Sequence, residues 1–319
     1  MRRLLLATTG IAALAVVVAT VITAVRQGVV PFLASEQCEA SVDGHTVVLS
    51  IEQAENAALI AGIAVERGLP ARAASIALAT AFQESKLRNL DHGDRDSLGI
   101  FQQRPSQGWG TARQVRDPVY ATNRFYDALV KVEGYTTLPI TVAAQEVQRS
   151  AFPEAYADHE RDARVLASAL TGNSRAAFSC TVKDDPDAAS PDLDAAGLTA
   201  RAAAVRRDLT RVFGEQSLGG FAPGGVTSGH MPGSAHYDGR AVDVFFRPIT
   251  PANRTRGWAM AQYLVAQAER LDIATVIFDD RIWTARRSAA GWRDYSAPSG
   301  SGDRAVLEHR DHVHVDVFA

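Results

Sequence analysis

Cysteine is scarce: Cys38 and Cys180 are the only two in 319 residues. The chain can form one disulfide at most, which excludes a scaffold stapled by several bridges. Charge of one sign is scarce too. Lys and Arg number 33 against 36 Asp and Glu, a net charge of −3. That balance gives no argument for nucleic acid or for an anionic membrane surface, and no nucleic-acid partner is expected. Internal repeats are absent, so repeat architectures are set aside. No A-x-A-like cleavage site follows the long apolar run at the N-terminus.

The rest of the composition is ordinary. Hydrophobic residues make up 46% and charged residues 22%, and the length suggests two domains with real cores. Arg2 and Arg3 precede the uncharged run Leu4 to Val25, and Arg26 ends it. At about 1.5 Å per residue, such a helix crosses a hydrocarbon core of roughly 30 Å. Residues 1–26 are therefore expected to be a single-pass anchor, with Arg2 and Arg3 cytoplasmic and all that follows extracytoplasmic. A cleaved signal, giving a secreted protein, is the alternative. In an oxidising compartment Cys38 and Cys180 are expected to pair; two free buried thiols are the alternative.

The fold class expected is α+β and multidomain. Residues 27–49 read as a stalk ending in a short strand, Thr46–Leu49. Residues 50–181 read as a mostly helical domain, opened by Ser50 as N-cap with Gln53 completing a capping box. The Pro- and Asp-rich stretch 182–196 reads as a linker. Residues 197–319 mix helices with strand-like pieces, including 241–246 and 312–318, which predicts an α+β domain with a small antiparallel sheet.

Two C-terminal segments carry the strongest chemical signal. Ser234 to Asp243 holds His236 and Asp243, with Gly239 between them to let the chain turn. Asp311-His-Val-His314 opens a strand in which His312, His314 and Asp316 share one face. His236, Asp243 and His314 are three N/O ligands that leave a fourth tetrahedral position open, the pattern of a catalytic zinc site. A solvated polar strand face is the plain alternative. In the first domain, Glu84 lies at a helix end beside apolar groups, where desolvation and the helix end both disfavour its anion. A carboxyl kept protonated in this way suits glycosidic cleavage; a surface charge is the plain alternative.

Pro232 to Asp243 resembles the PGxSxHxxGxAxD signature of zinc D,D-carboxypeptidases and D-alanyl-D-alanine peptidases, and Asp311–His314 resembles their DHxH motif. The resemblance implies one zinc held by His236, Asp243 and His314, Asp311 as general base and His312 as a transition-state donor. The upstream arginine of a Ser-Gly-Tyr-Arg-like segment is absent; Arg240, a candidate substrate-binding residue, and His230 are possible substitutes. Glu84-Ser85 followed by Ser97-Leu-Gly-Ile-Phe-Gln102 resembles the E-S … S-x-G-x-x-Q arrangement of lysozyme-like lytic transglycosylases and goose-type lysozymes. That resemblance implies Glu84 as general acid, Gln102 lining the sugar groove and Asp94 placing water. The later Tyr-Asn-Ala-Gly-like segment is absent; Gln145 and Gln148 stand in that region. Of the four tryptophans, Trp109 is the candidate sugar platform, the others being read as packing.

Together these readings predict a membrane-anchored peptidoglycan hydrolase with two cutting domains. The alternative is a peptidoglycan-binding or assembly protein whose first domain targets the wall without cutting glycan. Oligomeric state stays open.

Overall fold

The computed structural model describes residues 36–150, 154–299 and 302–319. The expected anchor, 1–26, and residues 27–35 of the expected stalk lie outside the described residues. Among the described residues, no helix is long and apolar enough to cross a membrane.

Residues 37–49 are sheet. β1 (Gln37–Val42) and β2 (His45–Leu49) form a hairpin, and β3 (Phe178–Thr181) pairs antiparallel with β1, giving the order β2-β1-β3. Cys38 and Cys180 are ladder partners and are joined by a disulfide. The bridge closes a loop across a sequence separation of 142.

Helices fill that loop. α1 (Ile51–Glu66) starts at the predicted capping box: Ser50 accepts from the Gln53 backbone while the Gln53 side chain accepts from Ser50 N. α2 (Ala71–Ser85), α3 (Ala112–Val115), α4 (Pro118–Leu129), α5 (Ile140–Gln148) and α6 (Glu160–Leu170) follow. α1 is buried nearly all round through Ala54, Ala57, Ala58, Ala61, Gly62 and Ala64. A helix that is small and apolar on every side belongs inside a protein.

One flank of α1 meets α2 and α4. The other meets α7 (Ala200–Phe213) and α8 (Pro251–Ala266), which belong to the C-terminal region. A Cβ at Gly62 would sit 3.0 Å from Phe213 Cζ and from Val212 Cγ1. Buried hydrogen bonds fasten the same boundary. Gln262 accepts from the backbone N–H of Ala177 (3.0 Å) and Phe178 (2.9 Å) and donates to Ala169 O. Trp283 and Trp292 donate to the carbonyls of Cys180 and Phe178. The two halves share one continuous hydrophobic core. Residues 182–194 have no regular structure and are mostly exposed, as expected of a connecting segment.

The C-terminal region is built on a six-stranded antiparallel sheet: β4 (Leu218–Gly219), β5 (Ala241–Phe245), β9 (His312–Val317), β6 (Ile273–Phe278), β7 (Arg281–Thr284) and β8 (Arg293–Asp294), in that spatial order. A short helix, α9 (Arg304–Leu307), precedes β9. β5 and β9 are buried on both faces. Val242, Val244, Val313, Val315 and Val317 occupy one face with Phe278, which packs against Trp258 of α8. The opposite face carries the polar set. The chain is thus α+β with antiparallel sheets.

Candidate functional site

Asp243 and His314 are directly opposite each other in the β5–β9 ladder, so both side chains leave the sheet on one face. His236 arrives from the turn before β5, where Gly239 adopts φ +65°. A Cβ there would strike Leu193 Cδ2 at 2.4 Å and Gly197 O at 2.6 Å. His236 Nε2 lies 3.1 Å from His314 Nδ1 and 3.3 Å from Asp243 Oδ1, and His314 Nδ1 lies 3.1 Å from Asp243 Oδ1. Ligand atoms about 2.0–2.2 Å from a tetrahedral zinc stand about 3.3–3.5 Å apart, so the three atoms fit such an ion closely. The group is placed to hold a metal, and all three residues are buried.

The outer contacts suit the same task. His236 Nδ1 lies 2.7 Å from Gly220 O, which leaves Nε2 free for a ligand role. His314 Nε2 lies 3.2 Å from Asp316 Oδ2. Burial alone would raise the Asp243 carboxyl, but bonds from His236 and His314 outweigh it and hold it far below the usual carboxylate range. Burial alone would lower His314, but Asp243 and Asp316 carry it up to about 9.

A cleft of about 470 Å³ opens over the cluster, lined by His230, His309, His312, Arg247 and Tyr295 beside the three candidate ligands. His312 Nδ1 is 2.7 Å from Asp311 Oδ1, and its Nε2 faces Asp243 Oδ1 at 3.9 Å. Asp311, expected as the base, does not line the cleft, and both its oxygens are engaged: Oδ1 by His312 and Oδ2 by Arg247 Nε at 2.6 Å. Arg240 is also turned away. It donates to Val317 O and Asp238 and lines a separate cleft beside Phe318. His230 stacks on His236, ring centroids 4.0 Å apart.

Arg247, His309 and Tyr295 were not singled out from the sequence. Arg247 carried one usable signal: it continues the two-residue period of Asp243 and Phe245. His309 carried none, because its ring reaches His312 from outside the strand, with centroids 4.6 Å apart.

The second site surrounds Glu84, the penultimate residue of α2. Ser85 Oγ donates to Ile100 O at 2.7 Å, tying the helix end to the following loop. Tyr156, on a short 3-10 segment (Ala155–His159), donates to Glu84 Oε1 at 2.8 Å. Burial raises the Glu84 carboxyl; the bonds from Tyr156 and Gln148 oppose this without cancelling it.

Gln102 adopts φ +48° and braces the loop through His92 O and Gly99 O. A Cβ at Gly93 would lie 1.8 Å from Gln102 Oε1. Gln148 donates to Phe101 O and, with Trp109, lines a groove of about 860 Å³. Gln145 donates to Ser150 O. Asp94 is exposed, and among the described residues its carboxylate has Arg95 as its ion-pair neighbour, at 3.9 Å. Asp96 takes the structural part instead, accepting from Arg104 and from both the N–H and hydroxyl of Ser106. Trp258 and Trp283 are buried packing residues.

Residues 194–305 match the family model described as VldE, C-terminal domain. The matched span includes His236 and Asp243 and ends before Asp311, His312 and His314. No curated protein shows a significant match to the chain.

Proposed function

We propose that the protein is an extracytoplasmic peptidoglycan hydrolase in which a zinc peptidase cleft and a lysozyme-like glycan cleft share one body. The observation that carries the reading is the His236–Asp243–His314 triangle at 3.1–3.3 Å spacing, at the base of an open cleft. His236, Asp243 and His314 would hold the zinc, which when bound would supply Lewis-acid polarisation of a peptide carbonyl and acidify an attacking water. His312 takes the proton from that water and returns it to the leaving amine; Asp311 holds the imidazole in the required tautomer and orientation. This reassigns the base from Asp311, because its oxygens are bonded to Arg247 and His312 and it does not line the cleft. Glu84, whose carboxyl burial pushes up, is the proton donor to the leaving sugar oxygen at the second site.

The anchor at 1–26 and a cell-surface location belong to the same proposal. They are supported by the run Leu4–Val25 and by a disulfide, which fits an oxidising compartment. A second reading is favoured by one observation, the exposed side chain of Asp94: the first domain grips glycan strands without cutting them.

Mass spectrometry of fragments released from purified peptidoglycan by the zinc-loaded protein tests both readings. Shortened or uncrosslinked peptides that vanish in His236→Ala, with glycan cuts that vanish in Glu84→Gln, are the expected result. Intact glycan with cut peptides makes the first cleft a targeting module. One zinc still bound per chain in His236→Ala would overturn the ligand assignment.

A further inference from the structure

We propose that Leu193 is a positioning residue for the metal site: it latches the end of the connecting segment onto the turn that carries His236, so that docking of this segment and occupancy by a metal favour each other. The proposal rests on the metal reading of His236, Asp243 and His314 and adds the element that holds their turn in place.

His236 and Asp243 flank a turn in which Gly239 offers no side chain to pack. The connecting segment fills that space. Leu193 Cδ2 lies 2.4 Å from where a Gly239 Cβ would be, and Gly197 O lies 2.6 Å from the same point. The other methyl group, Leu193 Cδ1, lies 3.4 Å from where a Gly225 Cβ would be. Gly225 belongs to the loop that leads to His230, whose ring stacks on His236. One side chain is therefore wedged between the turn that bears a candidate ligand and the loop that stacks on it.

The backbone joins the same three segments. Thr199 N–H donates to Gly239 O at 2.9 Å. A Cβ at Gly197 would meet Ala222 O at 1.9 Å and Gly225 N at 3.1 Å, so the main chains touch there directly. The segment is also shaped from within. Asp194 Oδ1 accepts from Ala196 N (2.8 Å) and Leu198 N (3.0 Å), and Asp194 N donates to Leu198 O at 2.8 Å. Leu198 is fully buried, and Thr199 caps α7, which packs against α1, β5 and β9.

Leu193 differs from Leu198 in exposure. It is 40% exposed and forms part of the wall of a cleft of about 510 Å³, beside Tyr237 and Phe318. Hydrophobic stabilisation scales with the apolar area removed from water, so a leucine this exposed is held less firmly than a core residue. Leu198 and the Thr199 cap stay in the core while Leu193 can lift, and the ligand turn then loses its wedge.

Coupling of this kind is reciprocal. A docked segment that keeps the turn ready raises metal affinity, and a bound metal raises the docked fraction by the same factor.

Chelator competition and hydrogen exchange on the full chain test this, with zinc as the probe. Leu193→Ala is expected to lower zinc affinity about tenfold, the low end of the effect of losing support around metal ligands. Leu193→Met, which keeps the wedge, should restore it. In the parent, saturating zinc should slow exchange of the amides of residues 194–199, including the Thr199 N–H bonded to Gly239 O. That slowing should be lost in Leu193→Ala, and exchange in α2 should not respond to zinc in either protein. A leucine that only adds stability would lower the melting temperature of metal-free and zinc-loaded protein alike and leave zinc affinity unchanged. Unchanged affinity in Leu193→Ala, or zinc protection in the parent confined to residues 236–243, overturns the proposal. If that happens while His236→Ala still abolishes zinc binding, the metal reading stands and only the latch is lost. Zinc binding that survives His236→Ala, or is absent from the parent, overturns both.

Discussion

At Glu84, burial and hydrogen bonding pull in opposite directions, and burial wins. The sign of the consequence is fixed by linkage. A carboxyl whose folded pKa is raised binds more protons folded than unfolded, so stability falls as pH rises from the unfolded value of 4.5 through the folded one. Above that window the penalty is complete. Glu84→Gln removes it, so the variant should gain thermal stability relative to the parent at pH 7 and gain little at pH 4. Melting curves at the two pH values check this; an equal gain at both would place the effect elsewhere. The same residue shows what sequence can reveal. Glu84 was legible because helix end, apolar neighbours and the Ser85 motif are local. Tyr156, its hydrogen-bond donor, lies 72 residues away and was invisible, since nothing local marks a tyrosine as a partner. His236, Asp243 and His314 were legible because their ligand chemistry and strand alternation are written in short segments. The engagement of Asp311 by Arg247 and His312 was not legible, because adjacency in DHxH does not tell which way a residue outside the alternating face turns.

Among the elements, β4 shows how a backbone segment without side-chain chemistry decides a site. Gly220, just after it, has φ +80° and supplies the carbonyl that orients His236. A Cβ there would fall 2.2 Å from His236 Cε1 and 2.9 Å from Asp243 Oδ2. Gly220→Ala must therefore move His236. It should lower zinc affinity by about 10- to 100-fold, the range seen when outer-shell support is lost. Competition with a chromophoric chelator measures this, and unchanged affinity would show that the site relaxes around the methyl group. Helices were read well because caps and 3.6-residue periodicity are local: the Ser50–Gln53 box starts α1 as expected. The β1–β2 hairpin was half read. Its first strand, Gln37–Val42, depends on pairing with β3, which is 136 residues beyond Val42 at its first residue, Phe178; a stalk was the natural reading without that partner. Gln262 shows the same limit: three bonds across the boundary make it a buried staple, yet nothing local in its helix marks it as one.

For the molecule as a whole, the exposed connecting segment and the continuous core make opposite demands on cooperativity, and the core dominates. A protease site inserted between residues 184 and 190 and then cut should leave two fragments that elute together and melt in one transition. Separation on a sizing column at native pH would show that the boundary, including the Gln262 and tryptophan bonds, is weaker than its burial implies. The irregular, mostly exposed segment 182–194 coincides with a break in composition; the fusion of the two cores was not legible, because alanine-rich helices such as α1 give no hint of what lies on their far side.

That far side has a mechanical meaning. With α1 packed between helices of both halves, the Glu84 site and the His236 cleft cannot swing independently on a tether. Any polymer engaged at both must present its two target bonds at one separation and one orientation. On the proposed reading, the protein would act as a gauge that sets the stride between a strand cut and a stem cut.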